Sequence, residues 1–320
     1  MEQKQNNILI AVDGSEHSFE AVRCVGRMLP AEQTKVTLFR VVVRIPEAFW
    51  DIESNPVFKD TVLDMHAHEL EETKHARDFM ERAKQFLKEC KYAEDFISLV
   101  LHRRQLGVAQ DIIQEAQKGY NALVVGRRGV STFQDMIFGS IANKLISRLS
   151  QVPVWVAGKR PDPGKILVAT DCSEGSEAAL DYVVSLFDGD HPEILLFHAI
   201  VPHGIFTRAQ EWTLIGQEQK DWGYAAKEGL TKAEAEAQSF LDESIKRVQQ
   251  KGGKPDRIKT RVVSGVTSRA GAILEEAKKG NYGTIVVGRR NISRAEEFFI
   301  GRVSNKILQA ARETAVWVVR

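Results

Sequence analysis

Three glycines and a serine stand at a spacing that suits the binding of a phosphate group. In the stretch VVGRRGVSTFQDMIFGS, two residues separate Gly126 from Gly129, nine separate Gly129 from Gly139, and Ser140 follows at once. Glycines after a strand permit positive φ angles and successive exposed N–H groups, which form an anion-binding concavity. A helix that begins at Ser140 adds amide donors, the positive end of its dipole and a hydroxyl. This glycine–serine motif, called the glycine phrase below, predicts a cradle that binds phosphate. The simpler alternative is an ordinary turn.

A second copy of this phrase, VVGRRNISRAEEFFIGR in residues 286–302, is altered at two of the four positions. Gly288 and Gly301 are retained, whereas Asn291 replaces the second glycine and Arg302 replaces the serine. Asparagine tolerates left-handed backbone geometry, so the loop shape can survive. Arg302 places a long cation at the start of a helix, where it either fills the pocket or grips an anion from the side. We expect the second copy not to bind phosphate as the first does.

The duplication extends over the whole chain. NNILIAVDGS, from Asn6, matches GKILVATDCS, from Gly164, at an offset of 158 (164 minus 6). A period this long indicates a domain duplication rather than a short-period solenoid. The natural joint is GKRPDPGK, which has two prolines and two glycines. The predicted domains are residues 1–158 and 165–320, with a linker at 159–164.

The elements that must position these residues alternate along each half. Short β-branched runs such as ILIAV and ALVVG suit strands that are buried on both faces. In the first half, helices are predicted at residues 16–29, 64–90, 109–118 and 140–149. Alternation of this kind predicts two tandem, doubly wound α/β domains of the Rossmann type, each a mostly parallel five-stranded sheet with flanking helices. Ligands of such sheets lie at the carboxyl ends of strands, where Asp13 and Asp171 each follow a first strand.

Composition is compatible with two soluble domains and excludes few function classes. The 320 residues are 43% hydrophobic and 27% charged, and 44 basic residues nearly cancel 43 acidic ones. No overall field favours nucleic acid or a membrane surface, and no run approaches the length of a membrane span. Three scattered cysteines argue against a disulfide framework. We expect a cytoplasmic protein with no nucleic-acid or membrane partner.

The G-x2-G-x9-G-[ST] phrase, the aspartate after the first strand and the terminal VPVWV strand resemble the universal stress protein family, here as a tandem member. The resemblance implies an adenine nucleotide alpha-hydrolase-like fold that holds ATP in the first domain, with Mg²⁺ carried on the phosphates rather than by protein ligands. It implies that Asp13 and Val41 face the ribose or adenine. It also implies a phosphate site lined by Gly126, Arg127, Gly129, Gly139 and Ser140. The second domain, which keeps Asp171 and Gly288, would mainly support the first.

The resemblance also implies how the domains associate. In the family the last strand often pairs across a two-fold axis, so Trp155 and Trp317 would lie in the two strands of an intramolecular pseudo-dimer. Packing of each tryptophan into the core of its own domain would equally explain why both strands contain one. A further homodimer is left open.

Three functions are compatible with these features. The leading hypothesis is a nucleotide-binding sensor or regulator in a stress response. An ATPase or phosphoryl-transfer enzyme would use the same cradle, but Gln134 and Asp135 are the only local candidates to position a nucleophile, so we expect slow hydrolysis at most. A nucleotide-free adaptor is the third.

Other groupings carry weaker hypotheses. His68, Glu72 and His75 share a face if their segment is helical, which could suit zinc, although a solvated helix side explains them as well. Cys172 follows a strand at a helix start, which could lower its pKa, but a buried small residue is the simpler interpretation. Arg127 either adds charge to the phosphate site or is a solvated loop residue.

Overall fold

The chain forms two compact units, Met1–Pro161 and Asp162–Arg320. A computed structural model describes residues 5–42, 59–128, 139–159, 164–187, 191–202, 217–289 and 301–320.

In the first unit, strands and helices alternate. They are β1 (Asn6–Ala11), α1 (Glu16–Met28), β2 (Thr34–Val42), α2 (Lys59–Glu89), β3 (Ile97–Arg103), α3 (Val108–Ala116), β4 (Ala122–Val125), α4 (Ser140–Arg148) and β5 (Val154–Val156). The five strands are parallel and lie in the order β3-β2-β1-β4-β5. Ile8 on β1 lies opposite Val36 on β2 and Ala122 on β4.

The second unit repeats this arrangement. Its elements are β6 (Lys165–Thr170), α5 (Glu174–Leu186), β7 (Glu193–Ile200), α6 (Gln217–Gln250), β8 (Ile258–Ser264), α7 (Arg269–Lys279), β9 (Thr284–Gly288), α8 (Arg302–Ala310) and β10 (Ala315–Val319). The strands are again parallel, in the order β8-β7-β6-β9-β10.

The central strands are buried on both faces, which explains their continuous apolar sequences. Ile8, Leu9 and Ile10 are fully buried, and every residue of β4 and β5 is buried. Helix α1 packs against α2, and α3 packs against α4, so right-handed crossovers place the two pairs on opposite faces of the sheet. The predicted fold, two doubly wound five-stranded α/β domains, is confirmed.

Local signals set the starts of several helices. The Ser15 hydroxyl accepts a hydrogen bond from the Ser18 amide and begins α1, and Ser173 caps α5 through a reciprocal capping box with Ser176. Helices α1, α3 and α4 match their predicted bounds within two residues. Helix α2 begins at Lys59, earlier than the predicted residue 64. Of the helices described, none has both the length and the apolar character needed to cross a bilayer.

Candidate functional site

The carboxyl ends of β1 and β4 lie side by side where the strand order reverses. Ala11 on β1 lies opposite Val125 on β4, so Asp13 and Gly126 follow these strands at the same edge of the sheet. Successive connections leave β1 and β4 toward opposite faces, which opens a crevice at this point. The fold therefore brings together two predicted site residues that are more than a hundred positions apart in the chain.

Asp13 is held by the turn that leads into α1. Its Oδ1 accepts hydrogen bonds from the Ser15 amide at 3.0 Å and the Ser15 hydroxyl at 2.6 Å. Gly14 has a φ of +87°, a conformation in which a side chain is strained. These contacts orient a carboxylate at the carboxyl edge of β1.

Gly126 is required by packing as well as by any ligand. A Cβ at this position would lie 2.6 Å from the carbonyl carbon and oxygen of His17 and 2.9 Å from the Ser18 amide nitrogen. The same contact exists in the second unit, where a Cβ on Gly288 would lie 2.3 Å from the Gly175 oxygen. The close approach of α1 to β4, and of α5 to β9, explains why both copies retain this glycine. Its presence does not by itself indicate a ligand.

Arg127 is a buried cation beside this glycine. Only 5% of its surface is exposed. Burial, together with the neighbouring charge of Arg128, lowers the pKa of Arg127 to about 10, while Glu20 acts in the opposite sense. The side chain stays protonated at neutral pH, so it places a fixed positive charge at the end of β4. The solvated-loop interpretation of Arg127 is therefore wrong.

The start of α4 lies at the other end of the predicted cradle. The Gly139 amide donates to the Arg127 carbonyl at 3.0 Å, and this bond brings the two ends of the glycine loop together. Ser140 is the exposed first residue of α4, and its hydroxyl is not used as a helix cap. The first amides of a helix have no acceptor within it. These donors and the hydroxyl fit a phosphate group. Gly129 lies outside the described residues.

Val41 lies at the same edge, on β2. It is the next-to-last residue of that strand, is half-buried and lies opposite His102 on β3. The described residues of the first predicted site thus share one edge of one sheet. Their roles toward a ligand stay a prediction.

Two residues at this edge were not singled out from the sequence, namely Arg40 on β2 and Asp111 on α3. The available signal for Arg40 was a cation inside the apolar run VTLFRVVV, and for Asp111 an acidic residue in the first turn of a helix. Neither signal is specific, because the contacts of Arg40 are distant in sequence and those of Asp111 depend on the shape of the preceding loop.

Asp111 fixes the loop between β3 and α3. Its side chain is buried and accepts hydrogen bonds from the amides of Gln105 at 2.9 Å and Leu106 at 3.0 Å. His102 Nε2 lies 3.9 Å from Asp111 Oδ2, and its ring stacks on Phe39. Burial opposes ionisation of Asp111, but the two amides and His102 outweigh it, so its pKa lies below the ordinary value.

Replacing Asp111 with asparagine is expected to lower the free energy of unfolding by about 1 to 3 kcal/mol, because an amide NH₂ would then face a backbone N–H. Since the folded pKa of Asp111 is depressed, its contribution to stability is present above the unfolded pKa of about 4 and is lost as pH falls below it. Urea denaturation at about pH 7 and about pH 3 measures both effects. The exposed Asp78→Asn change is the control and should stay within about 0.5 kcal/mol. Equal effects of the two changes at neutral pH would contradict this role.

The second unit places its counterparts at the matching edge but with different chemistry. Asp171 follows β6, Gly288 ends β9, Gly301 precedes α8, and Arg302 is the exposed first residue of that helix. Asn291 lies outside the described residues. A cation at this helix start meets the positive end of the helix dipole, which is unfavourable unless an anion is present.

Cys172 occupies the position of Gly14 in the second unit. It keeps a positive φ of +62°, and its Sγ lies 3.7 Å from His198 Nδ1. Burial and the charge of Asp171 raise the pKa of Cys172 to about 11. The thiol is therefore protonated at neutral pH, which does not support a reactive cysteine.

Two of the three residues proposed for zinc on α2 contact charged neighbours. Glu72 contacts Arg40 at 3.9 Å, and His75 lies 3.6 Å from Glu71. Within the part of the chain that the structure describes, no group of three histidine, cysteine or acidic side chains could hold a metal ion. The zinc hypothesis gains no support from these contacts.

The fold and the site define a tandem α/β protein with two doubly wound domains, each of which has an acidic loop after its first strand and a glycine that lets the first helix approach the fourth strand. The family model described as the universal stress protein family matches residues 5–158 and 163–320. The chain belongs to this family and contains two of its domains.

Known relatives agree with this assignment. A universal stress protein of Mycolicibacterium smegmatis is 25% identical over 319 residues, covering 98% of this chain and 96% of the relative. The universal stress protein YxiE of Bacillus subtilis is 27% identical over 165 residues, covering 47% of this chain and 97% of YxiE. The crystal structure of a universal stress protein from Archaeoglobus fulgidus matches with a TM-score of 0.61 and 17% identity, covering 100% of this chain and 99% of that one. At this identity the structural match shows the fold alone.

Proposed function

We propose that this chain is a sensor or regulator in a stress response that binds an adenine nucleotide, ATP foremost, in its first unit. The observation that carries the proposal is the convergence of Asp13, Arg127 and Ser140 on the edge where the strand order reverses. A nucleotide suits this arrangement because it joins a polar sugar to an anionic tail. Asp13 would accept hydrogen bonds from ribose hydroxyls, and Val41 would lie near the base.

The phosphates would meet the loop after β4 and the start of α4. Arg127 is buried and charged, and the first α4 amides point out of the helix toward its start. Where Mg²⁺ binds, the phosphate oxygens would coordinate it. Charge-assisted hydrogen bonds from an arginine and a helix terminus are among the strong contacts available to a phosphate.

The second unit would serve a supporting role. Arg302 stands where Ser140 stands in the first unit, and the side chain of Cys172 stands where Gly14 has none. The first change replaces a hydroxyl with a long cation, and the second adds a side chain to the loop after the first strand. We therefore expect one bound nucleotide per chain.

Since the three cysteines are free, we place the protein in the cytoplasm.

Measuring the amount of nucleotide that co-purifies with the protein tests the proposal. The protein is isolated without added nucleotide and denatured, and the supernatant is separated by ion exchange against adenine nucleotide standards. About one ATP per chain is expected for one working cradle. ADP in place of ATP would favour slow hydrolysis, and two equivalents would show that Asn291 and Arg302 leave the second pocket competent. No release, together with no binding in titrations with ATP and Mg²⁺, would overturn the proposal and favour an adaptor.

A further inference from the structure

Arg40 carries a guanidinium group to the loop that follows β1. A Cβ placed on Gly14 would lie 2.6 Å from Arg40 Nη1 and 3.6 Å from Cζ, so the group lies directly against the glycine. Gly14 is the neighbour of Asp13 in the chain, and β2 is the neighbour of β1 in the sheet. The cation therefore lies at the carboxyl edge that the proposed nucleotide site uses.

Part of the hydrogen-bonding capacity of Arg40 is unmet among the described residues. Only 11% of the side chain is exposed, and the buried Nε has no hydrogen-bond partner. Its ion pair joins Nη2 to Glu72 Oε1 at 3.9 Å, which is too long for a hydrogen bond. A guanidinium offers five donors, and burying a charge with its donors unmet is unfavourable. An anion at this place would satisfy the group.

The second unit lacks this feature. His198 stands at the position of Arg40 and Cys172 at that of Gly14. His198 Nδ1 lies 2.8 Å from the Thr170 carbonyl oxygen and 3.7 Å from Cys172 Sγ, so its polar contacts are met locally. Of the two units, the first has an arginine packed against a glycine at these positions, Arg40 against Gly14. It is also the unit in which the glycine phrase is intact.

We propose that Arg40 binds a second anionic group of the ligand, and that the ligand class is an adenine nucleotide with a phosphate on its ribose. This inference rests on the proposed nucleotide site. Strands β2 and β4 flank β1 on opposite sides, with neighbours about 4.8 Å apart. Arg127 and the start of α4 meet the ligand from the β4 side, and Arg40 lies on the β2 side.

The chemistry of arginine favours a phosphate as that second group. Its planar fork binds phosphate oxygens in pairs, which a lysine cannot reproduce. In doubly wound dinucleotide sites, an acidic residue binds a ribose hydroxyl, whereas an arginine nearby accommodates a phosphate on the ribose. Asp13 is the acidic residue here, and the guanidinium of Arg40 covers the glycine beside it.

Calorimetric titration of the full chain, freed of bound nucleotide, tests this inference. The ligands are AMP, ATP, adenosine 2′,5′-bisphosphate and adenosine 3′,5′-bisphosphate. One bisphosphate is expected to bind at least about tenfold more tightly than AMP, the ratio that charge-assisted hydrogen bonds supply. Arg40→Gln should reduce this preference to within about threefold, and Arg40→Lys should retain only part of it. Arg82→Gln, an exposed change of the same charge on α2, should keep the full preference.

The outcomes separate this inference from the proposed function. If AMP or ATP binds but neither bisphosphate binds more tightly than AMP, the role of Arg40 is overturned and the nucleotide site stands. If the preference exists but survives Arg40→Gln, another group supplies it and the assignment to Arg40 is wrong. If none of the four ligands binds, both proposals fall. Should Arg40→Gln not fold, Arg40→Lys decides: a preference as large as that of the unaltered protein would overturn the assignment to Arg40.

Discussion

Replacing Gly126 with alanine is expected to lower the free energy of unfolding of the first unit by about 3 kcal/mol. The added Cβ would lie 2.6 Å from the backbone of His17 and 2.9 Å from the Ser18 nitrogen. Backbone atoms in the first turn of a helix cannot move aside as the end of a flexible side chain can. Relief therefore requires α1 to shift away from β4, at the expense of the packing between them. Chemical denaturation followed by circular dichroism measures the loss.

The second unit offers a matched pair of glycine substitutions. Gly288→Ala should destabilise to a similar extent, because its Cβ would lie 2.3 Å from the Gly175 oxygen. Gly229 is exposed within α6 and has open space around it, so Gly229→Ala should instead raise stability by about 0.5 to 1 kcal/mol through helix propensity. An unchanged unfolding midpoint for both Gly126→Ala and Gly288→Ala would refute the packing role of the motif's first glycine.

This packing role has a consequence for studies of the ligand site. Loss of nucleotide in a Gly126 variant would not distinguish a broken cradle from a displaced α1. A residue whose removal leaves the fold intact is a better probe of binding.

Ser140→Ala is that probe, and it is expected to weaken ATP binding by about 10- to 100-fold. A hydrogen bond to a charged group contributes about 1.5 to 3 kcal/mol, and each 1.4 kcal/mol is a factor of ten. The hydroxyl is exposed at the first position of α4 and does not cap the helix, so the free energy of unfolding should change by no more than about 0.5 kcal/mol. Titration with ATP and Mg²⁺, combined with a denaturation curve, gives both quantities.

Ser147→Ala is the control for this experiment. Ser147 lies on the same helix, and its hydroxyl donates to the Lys144 carbonyl at 3.1 Å, away from the start of α4. Its removal should leave ATP affinity within about twofold. If Ser140→Ala binds ATP as tightly as the Ser147 variant, the hydroxyl does not contact the phosphates and the cradle is assigned wrongly.

The sequence was sufficient for the features that depend on neighbouring residues. Continuous β-branched runs identified the strands because burial on both faces leaves no place for alternation. Ser15 and Ser173 marked helix starts because a cap acts over three residues. The repeat of these signals, at an offset of 158 at the first strand (164 minus 6) and 162 at the glycine phrase (288 minus 126), predicted two doubly wound domains. The family matches over residues 5–158 and 163–320 agree.

Contacts between distant residues could not be predicted in this way. That Gly126 and Gly288 make room for the first helix of their units depends on how closely that helix packs on the sheet. The amides that bind Asp111 are only five and six positions away (111 minus 106 and 111 minus 105), but they also escaped prediction, because they belong to a loop whose shape no local pattern specifies.

The same division applies to the edge where a ligand is proposed to bind. The sequence by itself determined the glycine phrase, its altered second copy and the aspartate after each first strand, since each is a short string with a local meaning. Only the tertiary structure decided that Arg40 lies against Gly14, because the pairing of β1 with β2 joins residues that are 26 positions apart (40 minus 14). A parallel sheet brings the ends of separate strands to one edge, so the composition of that edge is a property of the fold rather than of any one segment.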